Sequence, residues 1–350
     1  MSNVVFRFSQ SKINTKRRCD FAAHLAYNEK IKPIEIKRPF TFGGIVHDML
    51  DAECNGKDPM RLLRKIANEK REIFDAQKEQ LGEIVRDIRW IMQEYLEVYE
   101  KDPVIFLKRG NKRAEHAYEV EVEDGLVFEW RVDAFAKMKK SKLKFLWENK
   151  TGQKQMDAIE EMTSVQAATY IRGGQILGLP EMDGIAWNFV LSKPPTVPQL
   201  LKDGTLGTRK DIITLPQVVR ATIKAHGLKA ADYEALFSIA TAGRARYFRR
   251  RFDVIKPRVV ENVWRDFIQD ARRMADDPNF KNRSKHLGRH CSWCDYKAIC
   301  LAELTGKSSD KVKEIHFEPR TKKEESKQEN ARKSKPQRSK AGSRKRHQRT

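Results

Sequence analysis

Apolar and polar residues alternate along three consecutive stretches near the middle of the chain, which are 114–122, 126–134 and 143–150. This two-residue period predicts three β-strands, and Asp124-Gly125 between the first two is typical of a hairpin turn. The same period places Glu148 and Lys150 on one face of the third strand. Asp133 lies opposite the apolar positions of the second strand. The pattern therefore predicts two carboxylates and an amine on a common face.

Apolar residues at helical spacing predict helices before and after these strands. The predicted helical segments are 42–52, 62–99, 157–177, 215–239 and 256–274. The first carries His47. The third carries Gln166 and Tyr170, which share a face because they lie one turn apart. With a further apolar strand predicted at 184–191, the order of elements predicts an α/β fold.

The 350-residue chain is strongly basic, with a formal net charge of +22 and a pI near 9.8. Clustered Lys and Arg release counterions from phosphates on binding, so this charge favours a polyanionic partner such as a nucleic acid. RNA or an anionic membrane surface would satisfy the charge alone. Part of the excess lies at 307–350, where 16 Lys and Arg accompany 6 Asp and Glu and large apolar residues are scarce. We expect this tail to be disordered.

The first residues contain no apolar core long enough for a signal peptide. No segment approaches the roughly 20 apolar residues of a membrane span. We therefore expect a cytoplasmic protein without a membrane partner, bacterial or encoded by a phage and acting inside the host cell.

Three of the five cysteines form a Cys-x2-Cys-x5-Cys segment at Cys291, Cys294 and Cys300. Such short spacings let thiolates converge on one inorganic centre, and a fourth ligand must come from elsewhere in the chain. An iron–sulfur cluster is one interpretation. A zinc site completed by His286 or His290 is the alternative. The sequence alone predicts a metal centre here.

Asp133 and Glu148 have the chemistry that metal-dependent phosphodiester hydrolysis needs. Their carboxylates, with the backbone carbonyl of Asn149, could supply oxygen ligands to Mg²⁺ or Mn²⁺. Lys150 could contact the attacking water or the scissile phosphate and offset developing negative charge. The alternative is a hairpin whose charged residues simply face solvent.

The order of these residues resembles the PD-(D/E)XK nuclease superfamily, in particular its RecB-like branch, whose motifs run His, Asp, Glu-x-Lys and Gln-x-x-x-Tyr. The resemblance implies a restriction-endonuclease-like mixed β-sheet core flanked by helices, with helical insertions. It also implies metal ligation by His47, Asp133 and Glu148, with Glu115 as a further ligand. Lys150 would be the catalytic amine. Gln166 and Tyr170 would position the substrate.

The resemblance extends to family members that contain an iron–sulfur cluster, including CRISPR-associated and AddB-type nucleases. In these the fourth cysteine lies near the N-terminus, ahead of the histidine motif, and Cys19 occupies that place. A 4Fe-4S cluster would then clasp the two ends of the domain. One departure is Asn149, which replaces the apolar residue or tyrosine that is common between the Glu and Lys.

A segment near residue 247 interleaves arginines with aromatic rings. One interpretation is nucleic-acid binding, with guanidinium groups on phosphates and a ring stacked on unpaired bases. A packed amphipathic segment with solvated arginines is equally consistent with the sequence. The candidate residues are Arg244, Arg246, Tyr247, Arg249 and Arg250.

The resemblance implies one elaborated nuclease domain at 1–306, with a helical insertion at about 55–104, a cysteine segment at 286–302 and the tail at 307–350. Its implied function is Mg²⁺- or Mn²⁺-dependent exonuclease action at DNA ends in recombination, repair or replication. The alternatives are a non-catalytic DNA-binding or recombination-assembly subunit and a CRISPR-adaptation end-trimming nuclease. The sequence carries no Walker-type phosphate loop, so any ATP-driven step would need a helicase or recombination partner.

Overall fold

The computed structural model describes residues 5–34, 38–69, 75–157, 161, 164–209 and 211–320. The helices are α1 (Gln10–Arg18), α2 (Asp20–Ala23), α3 (Arg38–Cys54), α4 (Pro59–Glu69), α5 (Asp75–Val98), α6 (Val165–Ile176), α7 (Pro216–Ala225), α8 (Glu234–Tyr247), α9 (Pro257–Ala275), α10 (Lys297–Leu304) and α11 (Ser309–His316). The strands are β1 (Phe6–Phe8), β2 (Ile31–Pro33), β3 (Val104–Phe106), β4 (Ala114–Glu123), β5 (Leu126–Met138), β6 (Lys144–Gly152), β7 (Gly184–Leu191), β8 (Phe248–Val254) and β9 (Phe317–Pro319).

Seven of the strands form one mixed sheet in the order β1-β5-β6-β7-β8, with β3 and β4 also paired to β5. The pairings of β5 with β6 and of β7 with β8 are antiparallel, whereas β1 with β5 and β6 with β7 are parallel. Asp124-Gly125 forms the predicted two-residue turn between β4 and β5, because Glu123 pairs with Leu126. The three strands predicted from alternation are confirmed.

Helices cover both faces of the sheet. On one face, α1, α6 and α9 contribute Ile13, Ile171 and Phe267 to an apolar cluster with the sheet. On the other face, α3 and α5 contribute residues such as Val46 and Ile88 to a second cluster. These layers confirm the predicted α/β architecture, a mixed sheet flanked by helices.

α6 packs closely on the sheet at Gly173. A Cβ atom there would lie 3.0 Å from Phe128 and 3.1 Å from Trp130, so a larger side chain would push the helix away. This close approach holds α6 against β5 and fixes the height of Gln166 and Tyr170 above the sheet.

The boundary predicted between folded domain and tail, at residue 307, is too early. Residues 309–319 form α11 and β9, and β9 pairs antiparallel with β2. Phe317 is buried and stacks on Tyr296, whose hydroxyl donates to the Ile31 carbonyl at 3.0 Å. The buried ring of Phe317 thus holds the otherwise charged segment 309–319 against Tyr296. The rest of the predicted tail, 321–350, lies outside the described residues.

None of the helices within the described ranges is long and apolar enough to cross a membrane.

Candidate active site and cysteine cavity

Glu148 and Lys150 on β6 meet Gln166 and Tyr170 on α6. The Lys150 ammonium donates to Glu148 Oε1 at 2.9 Å and to Gln166 Oε1 at 2.7 Å. The Gln166 amide nitrogen in turn donates to Glu148 Oε1 and to the Tyr170 hydroxyl, the latter at 3.2 Å. The structure therefore brings four predicted site residues into one hydrogen-bonded group.

Asp133 on β5 joins this group through the backbone. Its Oδ2 accepts a hydrogen bond from the Asn149 N–H at 2.7 Å and lies 3.7 Å from His47 Nδ1. His47 comes from α3, which precedes β5 in the chain. Three separate elements thus deliver the His, Asp and Glu-x-Lys residues to one place.

Burial disfavours the charged forms of Asp133 and Glu148. Burial raises the pKa of Asp133 to about 6 and, together with the nearby Asp133 charge, raises the pKa of Glu148 to about 7. Lys150 opposes both shifts, and Arg131 also opposes that of Asp133. Burial also lowers the pKa of His47. This donor chemistry fits a divalent cation, which would neutralise the pair.

Within the described ranges, no three His, Cys, Asp or Glu side chains converge tightly enough to form a complete metal site. That finding agrees with the ligand habits of Mg²⁺, which proteins bind through one or two carboxylates, with water and substrate phosphates completing the coordination. Asp133 and Glu148 would supply the two carboxylate ligands. The Asn149 carbonyl, a predicted further ligand, lies between Glu148 and Lys150 in the strand.

Asp51 lies near the candidate site and was not named by the sequence analysis. It lies one turn after His47 on α3, and burial and the Asp133 charge raise its pKa to about 8. Its Oδ1 is buried with no hydrogen-bond partner among the described residues. The four-residue spacing from His47 was the signal that could have identified it.

Glu115 stands apart from the hydrogen-bonded group. It adopts φ of 55°, a left-handed conformation that costs a non-glycine residue about 1–3 kcal/mol. Its carboxylate lies 3.7 Å from the Arg131 guanidinium and is largely exposed. Among the described residues it takes no part in the hydrogen bonds that join Glu148, Lys150 and Gln166, although its charge adds to the raised pKa of Asp133. Its predicted role as a ligand stays a prediction.

The four cysteines predicted to act together surround one cavity of about 90 Å³. Cys19 lies at the junction of α1 and α2, Cys300 lies in α10, and Cys291 and Cys294 precede α10. All four are free thiols, and the Gly288 N–H donates to the Cys291 sulfur at 3.4 Å. The fifth cysteine lies in a separate core cluster.

His286 and His290, the alternative zinc ligands, line the same cavity. The side chains of Leu287, Leu301 and Leu304 complete much of its wall. Burial raises the pKa of both Cys294 and Cys300, which favours their neutral thiol form in the metal-free protein. A bound cation would reverse that preference.

The arginine segment is packed rather than free. Tyr247 is fully buried, so it cannot stack on a base, and the structure is at odds with that part of the nucleic-acid interpretation. Arg249 pairs with Glu161. Arg250 pairs with Asp102 and is almost fully buried. The segment ends α8 and forms β8, a strand that the sequence analysis did not predict.

Arg244 likewise pairs internally, whereas Arg246 remains exposed. The Arg244 guanidinium contacts Glu94, which is 0% exposed, and Glu97 at 2.8 Å. Arg244→Ala should lower the free energy of unfolding by about 3 kcal/mol, because it leaves the buried Glu94 without its cation. Arg246→Ala should change it by less than about 0.5 kcal/mol.

Urea unfolding followed by circular dichroism would measure both arginine variants. Equal stability of the two variants, with DNA affinity reduced in both, would instead favour phosphate contact as the role of Arg244.

The sequence model of the PD-(D/E)XK nuclease superfamily matches residues 7–301. This range includes the hydrogen-bonded group around Glu148 and the four cysteines of the cavity. No curated protein matches the chain.

Proposed function

Because the chain belongs to the PD-(D/E)XK nuclease superfamily, we propose that it is a metal-dependent DNA nuclease with its active site at Asp133, Glu148 and Lys150. The observation that carries the proposal is the hydrogen-bonded convergence of Glu148, Lys150 and Gln166 from a strand and a facing helix. Charged groups on a solvated hairpin would not be buried together in this way.

Asp133 and Glu148 would hold Mg²⁺ or Mn²⁺, with the Asn149 carbonyl and His47 as further ligands. The cation supplies charge neutralisation and Lewis acidity toward the phosphate oxygens. The raised pKa values of the two carboxylates support this assignment, since burial disfavours their charged forms and a bound cation would stabilise them.

Lys150 would orient the attacking water and stabilise the negative charge that develops on the phosphate during hydrolysis. Its bonds to Glu148 and Gln166 hold the ammonium in place before substrate arrives. Gln166 also bonds the Tyr170 hydroxyl, so these two residues form a rigid polar wall beside the reacting phosphate. Such preorganised groups need little rearrangement in the transition state.

We further propose exonuclease action on DNA ends in recombination, repair or replication. The support is the order of motifs, which resembles the RecB-like branch, and a net charge of +22 that favours a phosphate backbone. ATP-driven unwinding, where it is needed, would come from a partner protein.

We also propose that Cys19, Cys291, Cys294 and Cys300 ligate a 4Fe-4S cluster. A single water needs about 10–15 Å³ of such cavity space, so a cavity of about 90 Å³ has room for a multi-atom cluster. A lone zinc ion would draw its ligands to within about 2.3 Å of one point. The support for the cluster over zinc is the position of Cys19 near the N-terminus, which resembles the iron–sulfur members of the family.

The experiment that tests the nuclease proposal is degradation of end-labelled linear DNA by anaerobically purified protein. Single- and double-stranded substrates are compared in Mg²⁺, Mn²⁺ and EDTA. We expect metal-dependent shortening, and the position of the label reports its polarity. DNA binding without cleavage in either metal would contradict the proposal and favour a non-catalytic assembly subunit.

A further inference from the structure

A buried polar chain lies behind the candidate active site, on the face of β6 opposite Glu148 and Lys150. Asn149 lies between those two residues in the strand, and its side-chain oxygen accepts two hydrogen bonds. One comes from the Trp147 indole N–H at 3.0 Å and the other from the Asn188 amide on β7 at 2.8 Å. Both asparagines are only 1% exposed.

Asn188 is itself held by two donors. Its side-chain oxygen accepts from the Tyr95 hydroxyl at 3.2 Å and from Arg250 Nε at 3.1 Å. Arg250 also donates to the Tyr95 hydroxyl at 2.6 Å and pairs with Asp102. α5, β7 and β8 therefore all support the orientation of one amide.

The side chains at the two ends of this polar chain, Arg250 and Trp147, fix the direction of every hydrogen bond between them. Arginine and tryptophan side chains are donors only. Arg250 Nε must therefore face the oxygen of Asn188, and the Trp147 N–H must face the oxygen of Asn149. The Asn188 amide nitrogen is then left to donate to Asn149, and rotating either amide by 180° would place like groups together.

The amide nitrogen of Asn149 is buried without a hydrogen-bond partner among the described residues. A buried donor left unpaired costs about 1–3 kcal/mol. An apolar residue at this position would avoid that cost but would leave the Trp147 N–H and the Asn188 amide without their acceptor. The oxygen of Asn149 therefore joins β6 to β7 through two buried donors.

The backbone of Asn149 connects these side-chain hydrogen bonds to the candidate active site. Its N–H donates to Asp133 Oδ2 at 2.7 Å, and its two peptide bonds lead directly to Glu148 and Lys150. We propose that Asn188 is a positioning residue that fixes the active-site carboxylates through Asn149. This inference rests on the proposed function, because it assigns Asn188 to the same active site.

Asn188→Asp isolates the proposed link. Aspartate has nearly the same size, and its oxygens can still accept from Arg250 and Tyr95. It has no amide to donate to Asn149, so two oxygens would face each other at 2.8 Å in the present geometry. The variant breaks one bond of the chain and keeps the others.

We expect Asn188→Asp to lower kcat and weaken Mn²⁺ binding by about 10–100-fold each, as is usual when a group that orients a metal ligand is lost. KM for DNA should not change, since Asn188 lies away from the substrate. Steady-state kinetics and calorimetric Mn²⁺ titration measure these quantities. Tyr95→Phe removes one of two donors to Asn188 and should give smaller changes in the same direction.

Thr222→Val is the control for lost stability alone. Thr222 is buried in α7, and its hydroxyl bonds only the Val218 carbonyl among the described residues. It should lower the melting temperature but leave kcat and Mn²⁺ affinity at the parent values. Asn188→Leu, which also lacks the donor, replaces Asn188→Asp if the aspartate variant does not fold.

A folded Asn188 variant with the parent's Mn²⁺ affinity would overturn the inference. A parent protein that binds Mn²⁺ but cleaves no DNA would overturn the proposed function alone, and the Mn²⁺ titrations would still decide the role of Asn188.

Discussion

Lys150→Ala is expected to lower the rate of DNA cleavage by at least about 10²–10³-fold while leaving the fold and DNA binding nearly intact. The physical reason is that Glu148 and Gln166 hold the Lys150 ammonium in place, so the alanine variant loses a positioned positive charge beside the carboxylates.

The end-labelled DNA assay measures this effect, with melting temperature and DNA affinity recorded alongside. Lys144→Ala is the matched control, since Lys144 lies on the same face of β6 but is exposed at the start of the strand. It should cleave at the parent rate. Full activity in Lys150→Ala would show that the site has been assigned to the wrong residues.

Cys294→Ala is expected to abolish the visible absorption of the anaerobically purified protein and to lower its melting temperature. Cys294 is one of four thiols around the cavity, and a cluster with three thiolates is held less firmly. A cluster held by these thiols would join the start of α2 to α10, so its loss should weaken the contact between these segments as well as remove the colour.

Cys54→Ala is the control for this substitution. Cys54 is also buried, but it packs with Ala134 and Trp147, away from the cavity. Its substitution should retain the visible spectrum of the parent. A colourless parent containing zinc by elemental analysis would favour the zinc alternative. An unchanged spectrum and melting temperature in Cys294→Ala would contradict ligation by this cysteine.

The central strands could be predicted from the sequence because the apolar signal in β4, β5 and β6 is local. The turn at Asp124-Gly125 carries its own signature, and Gln166 and Tyr170 needed only helical spacing to share a face. The predicted alternation fails at one point, where Ala134 packs in a different cluster from Val132. Glu115 lies across from this point on β4 and adopts a left-handed backbone conformation that the sequence pattern does not predict.

The missed elements depend on partners that are distant in sequence. β8 was not predicted because Arg249, Arg250 and Arg251 make it look like a solvated segment. Glu161 and Asp102 neutralise these charges, and neither lies near β8 in the chain. The relation of Asn188 to Asn149 was hidden for the same reason, since β7 is separated from β6 by α6.

The pairing of β2 with β9 has a consequence for how the protein is made. Pro33 pairs with Phe317, and Cys19 meets Cys300 across a similar span of chain. At about 5–20 residues per second, synthesis separates these partners by roughly 15–60 s. The strands that carry Asp133 and Glu148 emerge well before that. The thiol at Cys19 therefore leaves the ribosome long before its partners, so a metal centre held by these thiols could be loaded only late in biogenesis.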